Sequence, residues 1–290
     1  MRGNGNTRTI AISSGKGGVG KSTIAVALAR ALARAGNTTL IFDADLGLSN
    51  SPIALGCKVN FSVEDFLAGK CTIQEIVHQT DTPGLGLVAG GSGLDNLANL
   101  VDASLTSIIH AFDELGCDYR YLVVDIGAGI ANSVTSFIAA SDIRIVVLCN
   151  QPASIADAYG LVKVLQSRKC AEDLYILPNM VESQEDGFAL FNRFKLVCEK
   201  FLSISPMYLA SVEDDDFFNV AWKSRKDVSE LSPGSKATRS IRKLASQIAA
   251  IDKPKADNGG IRFFGRQLLD NALLSEDGRI ELKRGGLGSG

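Results

Sequence analysis

The chain has 290 residues, of which 46% are hydrophobic and 21% charged, and its formal net charge is −2 at pH 7. This length and apolar content predict one large domain with a buried core, and the near-zero charge argues against a protein that binds polyanions over its whole surface. No run of about 18 uninterrupted apolar residues is present, and the polar start, residues 1–7, lacks an apolar signal core, so we expect a cytoplasmic protein.

A glycine-rich loop separates a predicted buried strand, residues 9–13, from an apolar helical pattern over residues 24–32. Its spacing, G-x-x-x-x-G-K-[ST], is that of a phosphate-binding loop, in which main-chain N–H groups wrap phosphate oxygens without an intervening Cβ. We expect Lys21 to reach the β- and γ-phosphates and Ser22 to offer its hydroxyl to Mg²⁺. The residues predicted to contact the nucleotide are Gly15, Lys16, Gly17, Gly18, Val19, Gly20, Lys21, Ser22 and Thr23.

A second lysine, Lys16, stands near the start of this loop, too close along the chain to duplicate Lys21. The loop therefore resembles the deviant Walker A motif of the MinD/ParA ATPases. That resemblance implies an ATPase that uses ATP and Mg²⁺ and forms an ATP-dependent homodimer, in which Lys16 reaches the partner subunit's phosphates. Both lysines are the expected catalytic cations, because positive charge stabilises a transferring phosphoryl group. The alternative for Lys16 is a solvated loop lysine.

Two aspartates, Asp43 and Asp45, follow the next predicted strand, residues 39–42. Residues two apart in an extended chain point the same way, and phosphoryl transfer to water needs a group that orients the water. One carboxylate is expected to bind Mg²⁺ through water, and the other to position the attacking water. In the family that the loop resembles, the second aspartate has the latter role, so we assign catalysis to Asp45 and metal binding to Asp43. The alternative is that these aspartates cap a loop.

The apolar run at residues 121–124 ends in Asp125 and a glycine-rich turn. This pattern looks like a Walker B element, in which Asp125 orients Mg²⁺ through water and the turn responds to the γ-phosphate. Relatives usually have threonine, serine or proline where this chain has Ile126 and Gly127, so the geometry of the switch stays open.

Further strand-like runs at residues 143–148, 174–177 and 207–210 alternate with helical patterns. Continuous apolar strands of this kind suit a sheet that is covered on both faces. We therefore predict an α/β fold, a doubly wound and mostly parallel sheet with helices on both faces, in which ligands bind beyond the carboxyl ends of the strands.

Base recognition is expected after a later strand, where Asn179 offers an amide that both donates to and accepts from an adenine edge. By the family resemblance, Asn179 is the base-reading asparagine. No Asn-Lys-x-Asp run is present to select guanine. Asp214, in the acidic segment 212–216, is a weaker candidate for the base pocket, and a solvated acidic loop is the alternative.

Three segments narrow the resemblance, namely residues 43–50, 127–134 and 151–163. They look like the flagellar-number regulators of the FleN/FlhG group, and the similarity covers roughly residues 9–275. It implies a switch that controls flagellar number and placement, with an FlhF-type GTPase as partner and, in polar flagellates, a flagellar transcription activator. That group usually has Asp-Glu-Pro-Thr-Ser where this chain has Asn150-Gln-Pro-Ala-Ser, so two acids are replaced by amides.

The composition changes after Ile251. We predict an ATPase domain over residues 1–251, a linker over 252–260, an amphipathic helix over 261–275 and a tail over 276–290 that is disordered. The apolar and arginine-rich pattern of 261–274 suits an anionic membrane surface. The expected cycle runs between a cytosolic monomer and an ATP-bound dimer at the inner face of the cell membrane. The alternative is that this helix docks on its own domain.

Other functions share this scaffold. A ParA-type partitioning ATPase that binds DNA is the strongest alternative, because Lys236, Arg239, Arg242 and Lys243 form a basic helix face, although such faces are commonly just solvated. The six cysteines contain no C-x-x-C pair, which argues against a zinc site, a redox pair or an iron–sulfur carrier. We expect them to be reduced packing residues.

Overall fold

The computed structural model describes residues 7–45, 50–91 and 118–251. The strands in these ranges are β1 (Arg8–Ser14), β2 (Thr39–Ala44), β3 (Val77–Gln79), β4 (Leu85–Ala89), β5 (Tyr121–Ala128), β6 (Ile143–Leu148), β7 (Leu174–Val181), β8 (Met207–Tyr208) and β9 (Val212–Glu213). The helices are α1 (Lys21–Arg34), α2 (Ser51–Leu55), α3 (Val63–Leu67), α4 (Asn132–Ala139), α5 (Pro152–Ser167), α6 (Gln184–Leu202), α7 (Phe217–Ser224), α8 (Val228–Leu231) and α9 (Lys236–Ala250).

The strands form a sheet in the order β3-β4-β2-β5-β1-β6-β7-β8, and β9 pairs with β7. All described pairings are parallel except that of β3 with β4. The predicted doubly wound, mostly parallel sheet is confirmed. The apolar run at 207–210 forms only the two-residue strand β8, although the Leu209 N–H still donates to the Ile176 carbonyl at 3.3 Å.

Two hydrophobic cores lie on the two faces of the sheet, because alternate residues of each strand point to opposite sides. In β1, for example, Ile10 and Ile12 pack in the core that contains α1 and α9, whereas Ala11 packs in the core that contains α4, α5 and α6. Burying each large aliphatic side chain contributes about 1.5–3 kcal/mol. The continuous apolar strands thus hold helices on both faces.

The parallel arrangement gathers the predicted functional residues at one edge. The carboxyl ends of β1, β2, β5 and β7 lie together, and Asp43 of β2 is directly opposite Asp125 of β5 in the strand register. Both aspartates are buried on the side of the sheet that faces α1, since Phe42 and Val124 beside them pack in the opposite core. Register alone therefore places two carboxylates next to the start of α1.

Among the described residues, the helices lack the combination of length and apolar character that a membrane span needs. The helix α9 ends at Ala250, one residue before the predicted end of the ATPase domain. The predicted linker 252–260, amphipathic helix 261–275 and tail 276–290 lie outside the described residues, so these boundaries stay predictions.

Candidate functional site: a phosphate-binding loop with three carboxylates

The loop between β1 and α1 has the backbone that its glycines allow. Gly20, directly before α1, has φ +83°, a left-handed conformation that disfavours other residues. Gly15 lies so close to α5 that a Cβ there would stand 2.1 Å from the main-chain carbonyl carbon of Asp157. A Cβ at Gly20 would stand 2.5 Å from Nδ2 of Asn179. Glycine is needed at position 15 because the helix is so close, and at position 20 because of both the positive φ and the nearby Asn179 side chain.

Lys21 joins the loop to the carboxylates. Its Nζ lies 3.1 Å from Oδ1 of Asp125 and 3.5 Å from Oδ2 of Asp45. Lys21 is 7% exposed and Asp125 is fully buried, so each charge needs the other to offset the loss of hydration. The structure thus brings together three residues that the sequence predicted to act on one nucleotide. Two of them, Lys21 and Asp125, are 104 positions apart in the chain.

Asp43 has both carboxylate oxygens engaged by the main chain. Oδ1 accepts the N–H of Asp45 at 3.1 Å, and Oδ2 accepts the N–H of Ser51 at 2.9 Å. These bonds are the loop-capping arrangement that was the alternative to metal binding. The metal role of Asp43 stays a prediction, and the structure adds that this side chain shapes the segment carrying Asp45.

Ser51 is a site residue that the sequence interpretation missed. Its hydroxyl donates to Oδ2 of Asp125 at 3.2 Å. The available signal was Pro52, which is typical of the first turn of a helix and would have placed Ser51 at the start of α2. Nothing in that local signal pointed to Asp125, which lies 74 positions further along the chain.

The remaining loop residues lie where the pattern places them. Ser22 and Thr23 are half-buried in the first turn of α1. The Ser22 hydroxyl makes no hydrogen bond to Asp125, whose two carboxylate oxygens accept hydrogen bonds from Lys21 and Ser51 instead. Lys16 is exposed, and within the described ranges its ammonium has no ion-pair partner. Its predicted role needs a second subunit and stays a prediction.

The donor set fits Mg²⁺. The described part of the chain contains no ready-made cage of three or more His, Cys, Asp or Glu ligands. Mg²⁺ keeps several waters, however, and is usually held by one or two carboxylates together with substrate phosphates. A hydroxyl at Ser22 and a buried carboxylate at Asp125, both beside the phosphate-binding loop, are donors of the required hard-oxygen kind.

Asn179 and Asp214 line one cleft beside the loop, as the base-pocket prediction requires. This cleft has about 690 Å³ of open volume and is also lined by Gly20 and Thr23. The Asn179 Nδ2 donates to the Val19 carbonyl at 2.7 Å, and the Asp214 main-chain N–H donates to the Val181 carbonyl at 2.8 Å. The structure places both residues at the cleft, and their base-reading roles stay predictions.

Two aromatic residues that sequence reasoning did not single out also line this cleft. Phe218 and Trp222 are four residues apart, so both face the cleft from one side of α7. Aromatic faces are common walls for nucleotide bases, because every base has a π-face that stacks. An i, i+4 aromatic pair was the only signal in the sequence.

Cys149 directly follows β6 and packs against the loop, with its Sγ 3.7 Å from the Val19 carbonyl. Burial, helped by the negative charge of Asp214, raises the pKa of this thiol to about 11. The thiol is therefore protonated at neutral pH and packs against the loop as a small apolar group.

The basic face of α9 is largely engaged within its own domain. Lys236 Nζ lies 3.6 Å from Oε2 of Glu213, and Lys243 Nζ donates to Oε1 of Gln184 at 2.9 Å. Arg239 donates to the Gly234 carbonyl. All four basic side chains of this face are nevertheless exposed, and its DNA-binding role stays a prediction.

Residues 10–266 match the family model described as the CobQ/CobB/MinD/ParA nucleotide binding domain. The chain belongs to this family. Among curated MinD/ParA-family relatives, the antiactivator FleN of Pseudomonas aeruginosa is 32% identical over 264 residues, covering 91% of this chain and 94% of that protein. The flagellum site-determining protein YlxH of Helicobacter pylori is 34% identical over 274 residues, covering 91% and 90%. The predicted resemblance to the MinD/ParA family and its flagellar group is confirmed.

Solved structures show the same MinD/ParA fold. The septum site-determining protein MinD of Pyrococcus horikoshii, complexed with Mg-ADP, superposes with a TM-score of 0.69 at 23% identity, covering 84% of this chain and 96% of that one. A chain of the MinC:MinD cell division complex of Aquifex aeolicus has a TM-score of 0.68 at 21% identity, covering 88% and 100%. At these identities the likeness establishes the fold, and the family match establishes nucleotide binding.

Proposed function

We propose that this chain is a MinD-type ATPase that regulates the number and placement of flagella. The observation that carries the ATPase proposal is the convergence of Asp45 and Asp125 on Lys21, within 3.5 Å and 3.1 Å, where the phosphate-binding loop ends and α1 begins. The flagellar proposal rests on the similarity to FleN and YlxH across 91% of the chain.

The reaction is the hydrolysis of ATP to ADP and phosphate, and each residue has a task set by its position. Lys21 neutralises charge on the phosphates from the start of α1, whose N-terminal N–H groups add positive potential. Asp45 is 27% exposed, whereas Asp43 and Asp125 are buried, so solvent reaches Asp45 most readily. Asp45 therefore orients the attacking water. Mg²⁺, held by Ser22 and Asp125, would neutralise charge on the β- and γ-phosphate oxygens.

A direct test of the ATPase proposal is phosphate release by the wild type and by Lys21→Ala and Asp45→Ala. We expect both variants to lose at least about a hundredfold in rate, since charge neutralisation and water orientation each contribute on that scale. Lys58→Gln, at an exposed position outside the site, is the matched control and should keep the wild-type rate. Equal rates for all four proteins would refute the proposal.

An ATP-dependent homodimer is the second part of the proposal. Large apolar side chains are exposed on the segments that border the loop, with Ile53 56%, Ile130 55% and Met180 46% exposed. Lys16, in the loop itself, is also exposed. A second copy of the chain over the loop would bury this apolar rim, and would supply phosphates for Lys16 to neutralise.

Light scattering with ATP or ADP tests the dimer. Under slow-hydrolysis conditions, which Asp45→Ala provides, we expect dimers with ATP and monomers with ADP. Adding Lys16→Gln to that background should abolish the dimer, whereas adding Lys58→Gln should not. A monomer in every nucleotide state would rule out the ATP-dependent homodimer.

The membrane cycle concerns residues 261–274, and it is supported by their sequence pattern. A single amphipathic segment binds a bilayer weakly, and a dimer that carries two binds far better through effective concentration. Liposomes rich in phosphatidylglycerol should pellet the full chain with ATP, but should pellet neither the ADP form nor a chain that ends at Ile251. If nucleotide and truncation make no difference, a docked C-terminal helix replaces the membrane proposal.

The biological output is tested by deleting the gene in its source organism and counting flagella by electron microscopy. We expect an abnormal number or placement that wild type restores and Lys21→Ala does not. Pull-down against an FlhF-type GTPase and a flagellar transcription activator tests the proposed partners. Normal flagella together with salt-sensitive, ATP-dependent DNA binding would instead support the ParA-type partitioning function.

A further inference from the structure

We propose that Ser51 is a positioning residue, whose hydroxyl holds the Asp125 carboxylate in the orientation that Mg²⁺ binding requires. Ser51 is fully buried at the first position of α2. Its hydroxyl donates to Oδ2 of Asp125 at 3.2 Å, while its main-chain N–H donates to Oδ2 of Asp43 at 2.9 Å. The proposal rests on the proposed ATPase function.

A fully buried carboxylate needs hydrogen-bond donors, because burial removes the water that would otherwise solvate it. The two oxygens of Asp125 have different donors, with Lys21 on Oδ1 and Ser51 on Oδ2. Lys21 has a second task, since its ammonium must also neutralise the nucleotide phosphates. When Lys21 turns toward them, its hold on Asp125 weakens, whereas the Ser51 hydroxyl has no competing partner among the described residues. Ser51 then keeps the carboxylate plane fixed.

Ser51 also connects the two halves of the site. Asp43 accepts one main-chain N–H from Asp45 and one from Ser51, so both residues are tied to the same carboxylate. The Ser51 hydroxyl extends this network to Asp125. The residue that orients the attacking water and the residue that orients the metal are thereby held by one continuous set of hydrogen bonds.

The hydroxyl can be removed without disturbing the main-chain bond. Ser51→Ala deletes the contact with Asp125 and retains the N–H that Asp43 accepts. Ser51→Thr and Ser51→Val form a second pair with matched shape, which differ essentially in the hydroxyl. Ser141→Ala is the control for losing a buried hydroxyl elsewhere, since Ser141 is also fully buried and its hydroxyl donates to the Phe137 carbonyl at 2.8 Å.

The informative measurement is the affinity for a fluorescent ATP analogue, with EDTA and with Mg²⁺. We expect Ser51→Ala to bind within about twofold of wild type in EDTA, and to lose about ten- to a hundredfold of the affinity that Mg²⁺ adds, the range typical of groups that orient metal ligands. The kcat for ATP should fall together with it. Ser51→Thr should restore the Mg²⁺ effect relative to Ser51→Val, and Ser141→Ala should keep it.

Each outcome separates the two proposals. If the wild type releases no phosphate from ATP in the presence of Mg²⁺, the ATPase function itself is wrong. If the wild type shows it and Ser51→Ala retains it fully, Ser51 is a structural residue only. If Ser51→Ala does not fold, equal Mg²⁺ effects in Ser51→Thr and Ser51→Val would overturn the proposal on their own.

Discussion

Gly15→Ala is the substitution whose effect follows most directly from the structure. The new methyl carbon would stand 2.1 Å from the carbonyl carbon of Asp157, 2.2 Å from its oxygen and 2.5 Å from the nitrogen of Ala158. Ordinary contacts of a Cβ begin near 3.4 Å, so the loop and α5 must separate by roughly 1.3 Å. All three obstructing atoms belong to the main chain of a helix, so no side chain can rotate away.

Overpacking a well-packed interior costs about 1–3 kcal/mol, and a rigid helix backbone places this substitution at the upper end. For a chain of this size, each kcal/mol lowers the melting temperature by about 2–4 °C, so we expect a decrease of about 6 °C or more. The displaced loop also carries the N–H groups that we propose bind the phosphates. A misplacement of about 1 Å can cost a hundredfold in function, so ATP affinity should fall at least tenfold.

Two glycines provide matched controls, measured by thermal unfolding and by titration with a fluorescent ATP analogue. Gly17 is in the same loop, and a methyl carbon added there would have no described atom within 4 Å, so Gly17→Ala should leave the melting temperature nearly unchanged. Gly160 is on α5 with the same freedom, so Gly160→Ala should stabilise the fold by about 0.5–1 kcal/mol and leave ATP affinity intact. A Gly15→Ala protein with wild-type melting temperature and affinity would refute the close packing of loop and helix.

Three further predictions concern the site. Asp45→Asn should release phosphate at least about a hundredfold more slowly yet bind ATP within a few-fold of wild type, because we propose that the partly exposed Asp45 carboxylate orients the attacking water. A parallel loss of binding would contradict that role. Asn179→Ala should lower ATP affinity and destabilise the fold by about 1–2 kcal/mol, because it removes the buried 2.7 Å hydrogen bond to the Val19 carbonyl. An unchanged unfolding midpoint in urea would show that this hydrogen bond contributes nothing to stability. Cys149 should react with iodoacetamide very slowly at pH 8 and roughly tenfold faster for each pH unit above 8. The reason is that a pKa raised to about 11 leaves on the order of 0.1% of the thiol as thiolate at pH 8. Rapid alkylation at pH 8, detected by mass spectrometry, would contradict the burial of this thiol.

Local pattern was sufficient for the loop and for the sheet. The glycine-rich loop separates a predicted strand at 9–13 from a predicted helix at 24–32, and the structure has β1 and α1 on the same two sides of the loop. Apolar runs predicted strands that the structure contains at β2, β5, β6 and β7. These features depend on neighbours along the chain, on the freedom of glycine and on side-chain alternation, so a linear pattern records them.

The functions of individual carboxylates were less accessible. From their spacing alone, Asp43 and Asp45 were equivalent, and only the family resemblance assigned the metal-binding role to one and the water-orienting role to the other. The structure distinguishes them physically, since Asp43 is buried under two main-chain N–H groups and Asp45 is partly exposed beside Lys21. The sequence also could not predict the hydrogen bond between Ser51 and Asp125, because a serine at the start of a helix is common and nothing near it in the chain indicates its partner.

The sequence by itself determined that this protein has a phosphate-binding loop, a parallel sheet and aspartates at strand ends. The tertiary structure decided which side chains meet. It inserts β5 between β1 and β2, sets Asp43 opposite Asp125, and brings Lys21 and Ser51 to a carboxylate 104 and 74 positions away. Backbone conformation is encoded by residues close together in the chain, whereas contacts over such separations depend on strand order and register, which no local pattern specifies.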